Sequence, residues 1–292
     1  MEKKKKILFI FILFLILMSL NALSIQISVE KEEILSVDEL HITSSNPDIL
    51  KINNGLFIIE VLPNRGRVIW SVYPVSNTDE NFIYFSKDPY ILPFMDEITS
   101  QYFFELGGSY LSEPWNPRSN QPYPYEEYNV IQSDNEARVI LEGMNPTENI
   151  RARVELIVRD NDSRISMNVT LQNLSKNTLS ISVKEFTVFD LSTGFLTTDF
   201  SSLNEKRLDD FDEYKLINAK NLRFFGIKKG KYSLKKILEN GYSNHYVQIW
   251  GKNWEEQVGG APAVRLVDER TGITLKPNEK LSFKVLFEYN ER

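Results

Sequence analysis

Two runs of strict alternation joined by a turn constrain this chain most. Arg164-Ile165-Ser166-Met167-Asn168-Val169-Thr170-Leu171 places an apolar side chain at every second position. Gln172-Asn173-Leu174-Ser175-Lys176-Asn177 interrupts the run, and residues 179–188 then alternate again. A period of two sends one set of side chains to each face of a sheet, which a helix of 3.6 residues per turn cannot do. Comparable runs recur. Residues 49–52 and 55–62 flank Asn53-Asn54-Gly55 and read as a hairpin. Residues 68–73, 137–141, 151–159, 246–250 and 281–289 read as further strands. Turns at intervals of roughly 8–12 residues predict an all-β fold, a large antiparallel sandwich. Residues 25–292 are expected to form one domain with its core at about 49–290. One segment departs from the pattern. Ser233-Leu234-Lys235-Lys236-Ile237-Leu238-Glu239-Asn240-Gly241 has an N-cap serine, helical apolar spacing and a closing glycine, and predicts a short helix around 232–241. It lies in a polar region, 196–244, that reads as an insertion between two sheet blocks.

The N-terminus reads as a secretory signal, residues 1–24. Lys3-Lys4-Lys5-Lys6 is followed by an apolar run over 7–20 and a small-x-small site at Ala22-Leu23-Ser24. The run is shorter than the ~20 residues that comfortably span a bilayer. A cleaved signal and an exported protein, periplasmic or extracellular, are expected, with no membrane insertion afterwards. The full chain carries a formal charge of −6, and losing four lysines and one glutamate makes the remainder more acidic. Such a chain is a poor partner for nucleic acid. It has no cysteine, which excludes disulfides and thiol catalysis, and only two histidines, which argues against a zinc site. No cofactor is expected. Asp209-Asp210-Phe211-Asp212-Glu213 lacks calcium-loop spacing and reads as a solvated turn.

Residues 107–125 read Gly-Gly-Ser-Tyr-Leu-Ser-Glu-Pro-Trp-Asn-Pro-Arg-Ser-Asn-Gln-Pro-Tyr-Pro-Tyr. Four prolines argue against helix or central strand. A stiffened loop rich in aromatics either packs over one end of the sandwich or presents a surface. Flat aromatic faces beside amide and guanidinium donors suit a carbohydrate, with its apolar CH faces and hydroxyl rims. Trp115, Asn116, Arg118, Asn120 and Tyr123 are the candidates. Trp250-Gly251-Lys252-Asn253-Trp254 forms a second aromatic loop, expected over the same concave face.

Three further motifs, taken in order, carry a resemblance. Asn54-Gly55-Leu56-Phe57-Ile58-Ile59-Glu60-Val61-Leu62-Pro63-Asn64-Arg65-Gly66-Arg67-Val68 is an apolar strand ending in proline and a glycine turn. Residues 166–191 are a hairpin ending in an aromatic motif. Leu275-Lys276-Pro277-Asn278-Glu279 leads into the last strand. Together they resemble the galactose mutarotase-like family, the aldose-epimerase type of β-supersandwich. The resemblance implies a general acid and a general base flanking a sugar's anomeric centre. The family places a His in an H-x-Y-F-N-L-like motif and a Glu near the C-terminus. Here the matching stretches are Phe186-Thr187-Val188-Phe189-Asp190-Leu191 and Val247-Gln248-Ile249-Trp250, so Phe186 stands in the His slot and Gln248 in the Glu slot. Neither transfers a proton. The resemblance therefore implies a non-epimerase branch that binds or positions saccharide.

Other candidates are single residues. Arg67 either reaches a ligand with its planar fork or makes an ion pair at a strand end. His245, in Tyr242-Ser243-Asn244-His245-Tyr246, is either a displaced acid–base group or a polar residue at a strand end. Gln248 and Trp250 complete the expected ligand set. His41 reads as surface. The reading is an exported carbohydrate-binding or carbohydrate-processing protein. A structural or adhesive envelope protein is the alternative. A glycosidase pairing Glu105 or Glu113 with Glu255 is a third, and would need carboxylates roughly 5–9.5 Å apart.

Overall fold

A computed structural model describes residues 25–38, 41–45, 47–95, 102–112, 125–145, 149–238, 243–251 and 263–292, without the side chains of 34–45, 85–95, 102–106, 145 and 243. Two antiparallel sheets face each other. The first has nine strands in the order Gln26–Lys31 (β1), Asp48–Asn53 (β4), Phe57–Leu62 (β5), Arg67–Pro74 (β6), Ser109–Leu111 (β9), Leu179–Asp190 (β14), Ala263–Leu275 (β20), Ser243–Ile249 (β19) and Lys215–Asn218 (β16). The second has eight, in the order Glu127–Gln132 (β10), Glu136–Asn145 (β11), Ile150–Arg159 (β12), Arg164–Asn173 (β13), Lys280–Glu291 (β21), Tyr232–Ile237 (β18), Phe224–Lys229 (β17) and Phe195–Thr198 (β15). Ile34–Asp38 with His41–Ser45 (β2, β3) and Phe85–Met95 with Tyr102–Gly107 (β7, β8) make two separate ribbons.

Alternation decides which side chains meet. In β13, Ile165, Met167, Val169 and Leu171 are buried, and Val154, Leu156 and Val158 of β12 join them in one apolar cluster between the sheets. Each such side chain stabilises the fold by about 1.5–3 kcal/mol. Two buried asparagines brace the corners. Asn54 Nδ2 donates to the carbonyls of Arg159 and Asp162, at 3.0 and 2.8 Å, and its Oδ1 accepts from the amides of Leu56 and Phe57. Asn173 Nδ2 donates to the carbonyls of Asn177 and Leu275, at 2.8 and 2.9 Å. Each amide fastens a turn of one sheet to its surroundings, which is why Asn rather than an apolar residue stands there.

Four sequence expectations change. Residues 232–237 are strand β18, not helix. Leu234, Ile237 and Leu238 have helical spacing, but the buried set is Tyr232, Leu234, Lys236 and Leu238, a period of two. A charged residue at an interior position hid that period. The supposed insertion at 196–244 supplies β16, β17 and β18 and most of β15, so it is built into both sheets. The loop after Gly107 begins with β9, which lies between β6 and β14 inside the nine-stranded sheet. Its four prolines all fall in 113–124, outside the described residues. His245 lies within β19, not at a turn, and is buried.

The acidic stretch at 209–213 is a turn whose carboxylates are exposed, as expected. The N-terminal 24 residues lie outside the described residues. Among the described residues no helix is long and apolar enough to cross a membrane.

Candidate functional site

The nine-stranded sheet has two different faces. In β14, Val183, Glu185, Thr187 and Phe189 point between the sheets, and Phe186 and Val188 point the other way. The outer face carries a ladder of arginines and rings, one rung per strand. The Arg67 guanidinium of β6 lies 3.9 Å from the Tyr110 ring centroid of β9. Tyr110 stacks on Phe186 of β14, with centroids 5.1 Å apart and planes 22° apart. Arg265 of β20 stands over Phe186 at 5.2 Å and over Trp250 at 5.0 Å. Trp250 follows β19, and its ring lies 6.3 Å from that of Tyr214. Guanidinium faces suit such stacking because the charge is delocalised and weakly hydrated.

Register builds the ladder. Phe186 is paired with Tyr110 on one side and Val267 on the other, and Tyr246 is paired with Val267. One step along, Val188 is paired with Arg265 and Arg265 with Gln248. Two glycines allow the close approach. Gly108 has φ +87°, and a Cβ there would sit 2.8 Å from the Ile69 carbonyl and 3.2 Å from Arg67 Cδ. A Cβ on Gly251 would collide with the Phe211 carbonyl, so the turn that precedes Tyr214 closes directly onto the chain after Trp250.

Gln248 sits where the ladder meets partial exposure. Arg265 Nη1 donates to Gln248 Oε1 at 3.4 Å, and Gln248 Nε2 donates to Tyr214 Oη at 3.2 Å. The amide is thus held in one orientation. Arg67, Tyr110, Phe186, Trp250 and Arg265 are buried, whereas Tyr84, Tyr214, Tyr246 and Gln248 are half-buried. The arginines therefore work from beneath, and the tyrosine hydroxyls and the glutamine amide form the part that can meet a solute.

The inner face holds a second polar group. Glu185, Asp268 and His245 occupy one row across β14, β20 and β19. Ser109 Oγ and Thr187 Oγ1 donate to Glu185 Oε1 at 2.7 and 2.9 Å. Lys236 reaches Glu185 from the opposite sheet as an ion pair. His245 Nε2 lies 3.7 Å from Asp268 Oδ1, and Arg270 Nη1 lies 3.1 Å from Asp268 Oδ2. Burial pushes Lys236 down to about 7, with Asp268 opposing and Arg270 adding to the effect. Burial also lowers His245; Asp268 opposes this, while Lys236 and Arg270 reinforce it. The cluster is enclosed, with no member more than 8% exposed. Its chemistry serves the joint between the sheets, and it meets no solute.

The structure thus brings Arg67, Gln248 and Trp250 of the expected set onto one face, and sends His245 to the other. Trp115, Asn116, Arg118, Asn120, Tyr123, Glu113, Trp254 and Glu255 lie outside the described residues, as do the side chains of His41 and Glu105. Tyr110, Tyr214 and Arg265 were not singled out in the sequence. The signal for Arg265 was a lone arginine inside the apolar run Ala263-Val264-Arg265-Leu266-Val267.

No family model matches the chain, and no curated protein matches it. Solved structures do. A TPR-domain containing protein from Parabacteroides distasonis superposes with a TM-score of 0.70 over 92% of this chain at 13% identity. This chain spans only 56% of that protein. A galactose mutarotase-like protein from Clostridium acetobutylicum matches over 92% of this chain and 99% of its own, with a TM-score of 0.54 and 12% identity. A putative aldose 1-epimerase from Escherichia coli matches over 91% and 100%, with a TM-score of 0.53 and 10% identity. At these identities the likeness is one of fold. The chain has the β-sandwich fold of these galactose mutarotase-like structures.

Proposed function

We propose that this chain is an exported saccharide-binding protein that holds its ligand on the outer face of the nine-stranded sheet and does not interconvert anomers. The observation that carries the reading is the fixed Gln248 amide, clamped by Arg265 and Tyr214 above the aromatic ladder. A pyranose offers hydroxyls for an oriented amide and phenol, and CH faces for rings. Anomer exchange needs a proton donor and an acceptor beside the ring. On the described strands, Glu185, Asp268 and His245 are turned inward, and Phe186 and Gln248 stand where the family places its acid and base; the outer-face carboxylate Glu269 is paired with Lys184 at 3.8 Å, which supports binding without epimerisation. The fold shared with a putative aldose 1-epimerase supports a sugar ligand and leaves the chemistry to the site. Trp115 and its neighbours in 113–124 join the ligand set in this proposal.

The test is calorimetric titration of the chain with neutral mono- and oligosaccharides, together with exchange NMR on the anomers of any sugar that binds. Saturable binding that weakens about ten-fold in Gln248→Ala supports the reading. No binding across the panel overturns it, and accelerated anomer exchange overturns its non-catalytic part.

A further inference from the structure

On the far side of the molecule, the outer face of the eight-stranded sheet contains a hollow lined by side chains of β15, β17, β18 and β21. In β17, Phe225 and Ile227 enter the core, so Phe224, Gly226 and Lys228 face outward. β15 sets Phe195 opposite Lys228 and Thr197 opposite Gly226. β18 sets Ser233 opposite Lys228 and Lys235 opposite Gly226, and Asn290 of β21 is opposite Ser233. Every outward neighbour of Gly226 has a side chain and Gly226 has none. A Cβ at Gly226 would collide with the Leu234 carbonyl, so glycine lets β17 and β18 approach closely beside the hollow.

The hollow holds about 180 Å³. That is below the ~300–1,000 Å³ of pockets that enclose drug-sized ligands, so it fits one ring and not a chain of them. Two lysines line it, and each ammonium stands over an aromatic ring, Phe195 of the lining for Lys228 and Phe224 beside the hollow for Lys235. Lys228 Nζ is 5.7 Å from the Phe195 centroid, and Lys235 Nζ is 4.8 Å from that of Phe224. Among the described residues no carboxylate pairs with either amine, whereas Lys231 at the rim is matched by Glu291 at 2.5 Å. Glu205 also lines the rim, and Glu288 is opposite Lys235 on β21. Thr197, Ser233 and Asn290 add neutral donors and acceptors between the cations. In a chain of net charge −6, two lysines without a carboxylate partner among the described residues, with Arg292 also in the lining, suit an anionic, hydroxylated ligand.

We infer that this hollow is a second saccharide site, one that takes a single sugar unit bearing a carboxylate. The two ammonium groups hold the acid, the hydroxyl and amide side chains hold the sugar's own hydroxyls, and Phe195 covers a ring face. The site shares no residue with the arginine ladder and does not rest on the reading given to that face.

The experiment is saturation-transfer NMR and titration of the chain with glucuronate or galacturonate, with glucose and inorganic phosphate as comparison probes. Wild-type chain is compared with Lys228→Ala/Lys235→Ala, with Lys228→Arg/Lys235→Arg, and with Lys235→Gln alone. Both lysines are half-exposed, and a thermal melt checks that each variant is folded. Uronate binding that weakens with added salt, falls about ten-fold in the double alanine variant and survives in the double arginine variant supports the site. Three results overturn it: no uronate binding, uronate binding indifferent to both lysine-removing variants, or inorganic phosphate binding as tightly as uronate.

Discussion

Lys236 and Glu185 form an ion pair between the two sheets, one partner from each, and both are buried to 1% exposure or less. Ser109 and Thr187 satisfy the other carboxylate oxygen. A buried pair contributes little net stability against an apolar pair of the same shape, because desolvation offsets the attraction. Removing one partner is different, since the other is left buried without its counter-charge. It must either stay charged in the core or give up its charge there, and both cost free energy. Lys236→Met alone or Glu185→Leu alone is expected to destabilise the fold by about 3–5 kcal/mol. The double variant is expected to recover most of that loss, as read by urea unfolding. A double variant as unstable as the sum of the singles would show that the pair is not coupled.

His245 makes stability depend on pH. Burial lowers its pKa below the ordinary imidazole value of about 6.5, with Lys236 and Arg270 reinforcing and Asp268 opposing. Above that value the imidazole is neutral in both states and adds no slope. Below it the unfolded chain takes up a proton that the folded chain resists, so stability is lost as pH falls until the folded pKa is passed. Unfolding midpoints should therefore drop as pH falls below about 6.5. His245→Gln, which cannot titrate, should flatten that part of the curve. The window opens above the carboxylate range, in which Glu142, held down by hydrogen bonds from Arg151 and Arg153, titrates. An unchanged slope in His245→Gln would assign the loss to another group.

Gly108 lets Arg67 lie under Tyr110. Its φ of +87° already disfavours any side chain, and an added Cβ meets the Ile69 carbonyl and Arg67 Cδ. Gly108→Ala should cost about 1–3 kcal/mol from backbone strain and displace the first rung of the ladder. Gly272 is the control, with φ +69° and nothing within 4 Å of an added Cβ. Gly272→Ala should share the strain and leave saccharide binding unchanged, whereas Gly108→Ala should weaken it. Equal binding by both variants would separate Arg67 from the ligand face.

Most of the architecture could be read from alternation, because a residue's face in a strand follows from parity alone. Segments such as β12, β13 and β14 show it directly. β18 did not, because Lys236 occupies an inward position and turns a strand pattern into an apparent helix. β9 was hidden by the prolines that follow it. The ladder was invisible for another reason. Arg67, Tyr110, Phe186, Trp250 and Arg265 are scattered along the chain, and only strand order and register bring them together. Asn173 shows the same limit locally. It begins the sequon Asn173-Leu174-Ser175, yet its amide is buried and donates to two carbonyls, so in the folded chain it is a brace and no acceptor for a glycan.

Arg265 is the rung on which the candidate site turns, and lysine should not replace it. Its guanidinium lies over Phe186 and Trp250 together while Nη1 donates to Gln248. An ammonium carries the same charge but has no flat face and is more strongly hydrated, so it cannot stack on two rings and hold the amide at once. Arg265→Lys should keep the fold, with a modest fall in the unfolding midpoint, and weaken saccharide binding about ten-fold by releasing the Gln248 amide. Tryptophan fluorescence gives a second readout. Loss of the cation over Trp250 should change its emission in Arg265→Lys before any ligand is added. Unchanged emission with weakened binding would mean that Arg265 acts through Gln248 alone. Unchanged binding would remove the ladder from the site.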